Sequence, residues 1–164
     1  MKLLFVRHGQ AAPYCDDDAG RDLTDFGQQQ AVQTAKQIVA TQELDLIIAS
    51  PFNRADQTAK ILLQHANEHG QNPSFVTISS ITPDDDPMVA LDDIAHAITH
   101  RFGDDDDKTV AVVCHMPIVA KMLALLDGSS PAWFELAECR VVETTVIAEG
   151  LGQCISSFVP MQPQ

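Results

Sequence analysis

Two arginines and two histidines, far apart in the chain, fall at equivalent places: Arg7 and His8 end one apolar run, Arg54 lies just past the end of a second, and His115 ends a third. A guanidinium is permanently charged and its planar fork grips two oxygens of a tetrahedral oxyanion at once. Neutral imidazole can attack phosphorus, and nearby guanidiniums favour the neutral form by lowering its pKa. Brought together, the four residues would make a well for a dianion, with phosphate the obvious candidate. The chemistry would be in-line attack by His8, a phosphohistidine intermediate and hydrolysis by water, with Arg7, Arg54 and His115 stabilising charge on the equatorial oxygens. No metal or cofactor is required. Taken singly, each residue has a plainer reading as a polar strand end or a surface charge, so the case rests on convergence.

The hydrophobic pattern gives the strands and helices around these residues. Lys2–Val6 is a strand running into Arg7-His8-Gly9, where a glycine permits a sharp exit or a close approach of backbone. An irregular segment, Gln10 to Arg21, suits a rim or lid. Thr24 is a plausible N-cap for a helix carrying Ala31, Ala35, Ile38 and Val39 and ending near Thr41. Leu44–Ala49 is a strand stopped by Ser50-Pro51, followed by a helix with Ala55, Thr58, Ala59, Leu62 and Ala66 on one stripe. Phe75–Ile78 is a short strand, Thr82–Pro87 an acidic loop, and Leu91, Ile94, Ala95, Ile98 and Phe102 mark a third helix. Thr109–Cys114 is a strand ending at His115-Met116-Pro117, where proline suits the first turn of a helix carrying Ile118, Val119, Met122, Leu123 and Leu126. Arg140–Ala148 and Gln153–Val159 read as strands joined by the Gly150–Gly152 turn.

Alternating apolar strands and helices predict an α/β fold: a single-domain three-layer sandwich over residues 1–164, with a mostly parallel central sheet, helices on both faces and a C-terminal β-hairpin. In an open parallel sheet the carboxyl ends of strands share one edge, where ligands bind, so Arg7, His8, Arg54 and His115 are expected to converge there. Helices starting after Ser50 and His115 aim positive N-termini at the same edge. Arg21, in the loop facing that edge, joins Ser50 and Met116 as a candidate substrate contact.

At 164 residues with 45 % hydrophobic content, the chain can bury a sizeable core. The formal net charge of −13 argues against nucleic acid or an anionic membrane as main partner. With no signal-like or membrane-length apolar run, a soluble cytoplasmic protein, monomeric, is expected. Cys15, Cys114, Cys139 and Cys154 form no CxxC pair and read as reduced thiols. Cys114, adjoining His115, reads as core rather than nucleophile. The aspartate runs Asp16–Asp18, Asp84–Asp86 and Asp104–Asp107 lack EF-hand spacing and read as solvated loops. His65 with His69 and His96 with His100 are i, i+4 pairs on helices that lack a third ligand, so they read as surface residues.

These residues resemble the histidine phosphatase superfamily, which includes the phosphoglycerate mutase-like enzymes. Arg7-His8-Gly9 matches its defining motif, Leu23-Thr24-Asp25-Phe26-Gly27 with Gln30-Ala31 its second block, and Ser50 to Ala59 its third, with His115 in the place of the second catalytic histidine. The resemblance implies that His8 is phosphorylated and that Arg54 is the second phosphate arginine. Arg21-Asp22-Leu23-Thr24, Ile81-Thr82-Pro83 and His115 to Val119 are similar to SixA-type phosphohistidine phosphatases. That similarity implies phosphorylated histidine-containing phosphotransfer proteins, of bacterial phosphorelay or sugar-phosphotransferase systems, as substrates. Relatives that act on phosphate esters carry an acid after the third strand, where this chain has Ser79-Ser80-Ile81-Thr82-Pro83. A phosphorylated imidazole can leave neutral without that acid, whereas an alkoxide cannot. Asp84 or Asp85 serving as acid would favour a small-molecule phosphomonoesterase, and a non-catalytic phosphoryl-binding module is the third alternative.

Overall fold

Strand residues that are apolar at every position need cover on both sides, and the sheet obtains it. The computed structural model describes residues 1–164. Along β1 (Lys2–Arg7), Leu3 and Phe5 face one core while Leu4 and Val6 face the other. β2 (Leu46–Ala49) and β4 (Thr109–Cys114) alternate in the same way, Ile48, Val112 and Cys114 on one side and Ile47, Ala111 and Val113 on the other. The first core is closed by α3 (Pro87–Phe102) and α4 (Ile118–Asp127), the second by α1 (Asp25–Thr41) and α2 (Asn53–Glu68). With β3 (Ser74–Thr77), β5 (Cys139–Glu143) and β6 (Gln153–Phe158), the sheet has six strands in the order β3-β2-β4-β1-β5-β6.

β3, β2, β4 and β1 run parallel, while β5 is antiparallel to β1 and β6 to β5. The expected three-layer α/β sandwich with a terminal hairpin is therefore present. The α1 start follows its sequence signal, Thr24 Oγ1 accepting from Gly27 N at 3.0 Å, and at α3 the Asp86 carboxylate accepts from Met88 N at 2.8 Å. The strand expected over Arg140–Ala148 is shorter. β5 stops at Glu143, opposite Lys2, the first residue of β1, with one backbone bond beyond that pair, from Thr144 N to Met1 O. The chain then crosses to β6 through the longer segment 144–152 instead of a tight turn at Gly150–Gly152. No helix is long and apolar enough to cross a membrane.

Candidate active site

Parallel alignment of β1, β4 and β2 puts their carboxyl ends side by side, and backbone bonds carry the register past the strands. His8 N donates to Cys114 O at 3.1 Å, and Ser50 N donates to Val113 O at 3.0 Å. Arg7, His8, Arg54 and Met116 consequently line one cavity of about 400 Å³, together with Arg21, Tyr14, Asp18, Pro83 and Leu136 among others. A larger groove beside α3 and α4 holds Lys121 as its only basic residue and no histidine, so it lacks the groups for the same chemistry.

Gly9 lets the first strand leave the sheet, through close approach and not through a left-handed turn. A Cβ there would collide with the carbonyl of Gly27, and one on Gly27 would collide with that of Gln10. The two glycines seat the start of α1 directly on the chain after His8. Thr58 joins the same segment to α2: Gly9 N donates to its hydroxyl at 3.2 Å, and that hydroxyl donates to Arg54 O at 2.8 Å.

His8 is 8 % exposed and its tautomer is fixed. Nδ1 lies 2.6 Å from Gly9 O, a carbonyl that can only accept, so Nδ1 carries the proton. The lone pair on Nε2 accepts from Arg54 Nε at 3.2 Å. Burial is the largest influence on His8 and lowers its pKa; the Gly9 bond opposes it, and the charges of Arg54, Arg7 and Arg21 lower it further, to about 3. The imidazole is thus neutral at physiological pH, as a nucleophile toward phosphorus must be.

His115 stands 5.2 Å from His8, ring centroid to centroid, with Phe52 edge-on at 5.2 Å. Its Nε2 shares a hydrogen bond of 2.7 Å with Ser50 Oγ. Burial, followed by the influence of His8 and the arginines, takes its pKa down to about 2. Ser50 is fully buried, and its hydroxyl meets His115.

Arg7 Nη1 donates to Phe134 O at 2.7 Å, and the ring of Trp133 stacks on the guanidinium at 4.8 Å. Two buried side-chain polar atoms in the chain lack a hydrogen-bond partner, Arg7 Nε and His115 Nδ1. Both belong to this site. An unpaired buried polar atom costs about 1–3 kcal/mol, so the fold keeps both at a cost that an incoming oxyanion would offset.

Asp18 departs from the expectation for its run of aspartates. It is turned inward because two arginines bind it: Arg54 donates to its main-chain oxygen at 2.8 Å and its carboxylate at 3.2 Å, and Arg21 Nε donates to the carboxylate at 2.8 Å. Partial burial raises its pKa, but the Arg21 hydrogen bond and the Arg54 charge outweigh this and hold the carboxyl below its usual range. Arg21, also bonded to Ala12 O at 2.8 Å, is thereby fixed against the cavity. The one sequence sign of this inward turn is the i, i+3 spacing of Asp18 and Arg21.

The β3–α3 loop brings Pro83 to the cavity wall. Asp85 is occupied elsewhere, accepting from Thr82 N at 2.7 Å and Thr82 Oγ1 at 2.6 Å, and Asp84 is exposed. Cys114 is fully buried, and burial pushes its thiol up to about 12, which removes it as a nucleophile.

Residues 3–75 match the model of the histidine phosphatase superfamily (branch 1). A SixA phosphohistidine phosphatase homolog of Haemophilus influenzae is 31 % identical over 134 residues, covering 78 % of this chain and 78 % of that protein. This chain belongs to the histidine phosphatase superfamily. Phosphohistidine phosphatase SixA of Escherichia coli is 26 % identical over 136 residues, 82 % of this chain and 80 % of that one. In three dimensions, the protein histidine phosphatase SixA complexed with tungstate superposes with a TM-score of 0.82 at 24 % identity, over 98 % of this chain and 97 % of the other. Family membership and the assembled histidines and arginines make the chain a phosphatase.

Proposed function

We propose that the protein hydrolyses phosphohistidine on a protein substrate through a phosphohistidine intermediate on His8. The observation that carries the proposal is the pair of unpartnered buried atoms, Arg7 Nε and His115 Nδ1, beside a neutral His8 whose Nε2 lone pair is free of a proton. Phosphate oxygens would satisfy Arg7, Arg54 and His115 at once, as the equatorial oxygens of an in-line transfer require.

His8 Nε2 forms a bond to phosphorus while the bond from phosphorus to the substrate imidazole breaks. The electron pair of that bond stays on the departing nitrogen. If the other substrate nitrogen carries a proton, the product is neutral imidazole and no proton donor is needed. His8 then bears phosphorus on Nε2 and hydrogen on Nδ1, so its ring is cationic and the Gly9 carbonyl stabilises it. Water attacks next, the P–Nε2 bond breaks back to neutral His8, and the proton lost by water stays with the inorganic phosphate released. Ser50 acts through His115, whose ring it orients.

The placement of Pro83 at the wall, with Asp85 committed to Thr82, favours phosphoramidate over ester. An alkoxide would need a proton that an ionised Asp18, held below the usual carboxylate range, is unsuited to give. The likeness to SixA phosphatases from two organisms supports the same substrate class. Phosphorylated histidine-containing phosphotransfer proteins are thus the proposed partners, with the chain acting as a monomer.

The test is to mix the protein with a phosphorylated phosphotransfer domain and, separately, with sugar phosphates. Preferential release of phosphate from the former, with acid-labile phosphate trapped on His8, is expected. A strong preference for the sugar esters would overturn the substrate assignment.

A further inference from the structure

The chain contains one tryptophan and one tyrosine: Tyr14 lines this cavity, and Trp133 lies against its Arg7. Tyr14, on the β1–α1 connection, is 77 % exposed and lies over Arg21 at 5.8 Å. Trp133, on the α4–β5 connection, is 61 % exposed and lies over Arg7 at 4.8 Å. Neither ring contributes to the two cores. Nor does either arginine depend on its ring for position, since Arg7 is held by Phe134 O and Arg21 by Asp18 and Ala12 O.

The backbone presenting Trp133 is tied down. Arg140 donates to Trp133 O at 2.5 Å, stacks on Phe134 at 3.9 Å and pairs with buried Glu138 at 2.6 Å. An exposed indole on an anchored backbone is pre-placed for a ligand, because little ordering remains to be done when something lands on it. Tryptophan and tyrosine beside arginine are also the residue types that dominate recognition surfaces.

In-line transfer fixes what arrives there. With the phosphoryl group among Arg7, Arg54 and His8 Nε2, the leaving group lies on the far side of phosphorus from His8. We infer that Tyr14 and Trp133 form the leaving-group subsite and that its occupant is the phosphorylated imidazole of a histidine side chain on a protein partner. This rests on the phosphohistidine assignment and adds the residues that read the ring. Their faces stack on an imidazole and attract it more strongly when it is protonated, the form that departs neutral. An aliphatic sugar ester offers neither a flat face nor a cationic ring, so the rim discriminates between substrate classes at the point where they differ.

The experiment compares the wild type with Tyr14→Leu/Trp133→Leu and Tyr14→Phe/Trp133→Phe on two substrates, a phosphohistidine-bearing phosphotransfer protein and inorganic phosphoramidate, which has the labile P–N bond but no ring. The expected result for the leucine pair is a fall of about tenfold in the ratio of kcat/KM between protein and phosphoramidate, carried mainly by KM, as two stacking contacts imply. The phenylalanine pair should keep the ratio within about threefold, because the faces are restored. Equal losses on both substrates, failure of phenylalanine to rescue, or no change in the ratio would each overturn the inference. A wild-type protein inactive on phosphohistidine but active on sugar phosphates would overturn the substrate assignment itself, and that result is read before any variant is made.

Discussion

Arg54 Nε points at His8 Nε2 across 3.2 Å, so a guanidinium donates to the lone pair that the proposed mechanism sends to phosphorus. The contact sets the ring's orientation and disfavours its protonation. In the proposed reaction it would be surrendered: as the phosphoryl group arrives, the arginine would turn its donors to phosphoryl oxygens and release the lone pair. Arg54 reaches this position because α2 begins immediately after the β2 end, and Thr58 one turn later bonds both Arg54 O and Gly9 N. His8 and Arg54 are thus held by one short piece of structure.

Replacing His8 with alanine removes the nucleophile and leaves the scaffold. Turnover of a phosphohistidine protein should fall by at least about a thousandfold, as expected when covalent catalysis is lost. Acid-labile phosphate should no longer be trapped on the protein, while inorganic phosphate should still bind through Arg7 and Arg54. Full turnover in this variant would end the nucleophile assignment.

Asp18 occupies donors of Arg54 and Arg21, so under the proposed function it would compete with substrate for them. Asp18→Asn keeps the shape and the main-chain acceptor but removes a negative charge from the cavity. Inorganic phosphate should then inhibit several-fold more tightly at low salt, and the difference should shrink as salt rises and screens the exposed part of the site. Weaker inhibition would mean that the carboxylate chiefly holds the arginines in place.

Burial of two neutral imidazoles makes stability depend on pH. Each titrates near 6.5 in the unfolded chain, whereas the folded values are about 3 for His8 and about 2 for His115. Between these limits the unfolded chain binds protons that the folded chain refuses, so stability rises with pH and is lost as pH falls below about 6.5. The limiting slope is about 1.4 kcal/mol per pH unit for each histidine. Urea unfolding at pH 6.5, 5.5 and 4.5 checks this, and a His8→Asn/His115→Asn protein should show a flatter profile. An unchanged slope in that double variant would place the acid sensitivity elsewhere.

The strand ends were legible because three apolar runs, each followed by a charged or imidazole side chain, leave a parallel sheet one arrangement that buries the runs and exposes the ends. Legibility stopped where tertiary partners decide. The apolar residues Val146 and Ile147 extend the pattern of β5, yet the strand ends at Glu143, opposite Lys2, the first residue of β1. Within three consecutive aspartates only the i, i+3 spacing to Arg21 marks Asp18 as the inward one, and its other partner, Arg54, lies 36 positions away. Trp133 is likewise placed by Arg140 and not by a local pattern.

Ser50 is a positioning residue by geometry, and Ser50→Ala tests it. Its loss leaves His115 with both ring nitrogens unpartnered, since Nδ1 already has none. The cost in stability should be about 1–3 kcal/mol. The turnover number should fall by about tenfold with little change in KM, because a misoriented imidazole weakens charge stabilisation in the transition state more than substrate binding. Ser50→Thr, which retains the hydroxyl, should recover part of the rate. A variant with unchanged turnover would show that His115 needs no partner.

The C-terminal segment reaches back to the site through Gln162, whose side chain accepts from Leu136 N at 3.2 Å and donates to Leu136 O at 3.0 Å. Leu136 lines the cavity, and the next residue, Ala137, sits at a φ of 56° that a side chain tolerates poorly unless its surroundings impose it. Its neighbours do so: Ala137 N donates to His8 O at 3.0 Å, and Thr34 Oγ1 donates to Ala137 O at 2.7 Å. Gln162→Ala removes one brace from this loop while leaving both cores intact. The expected loss of stability is about 1 kcal/mol, with a several-fold rise in KM for the phosphohistidine protein and little change in the trapping of phosphate on His8. Thr34→Ala, acting on the opposite side of the same loop, should raise KM in the same direction, and a lower turnover number with unaltered KM in both variants would separate this loop from substrate binding.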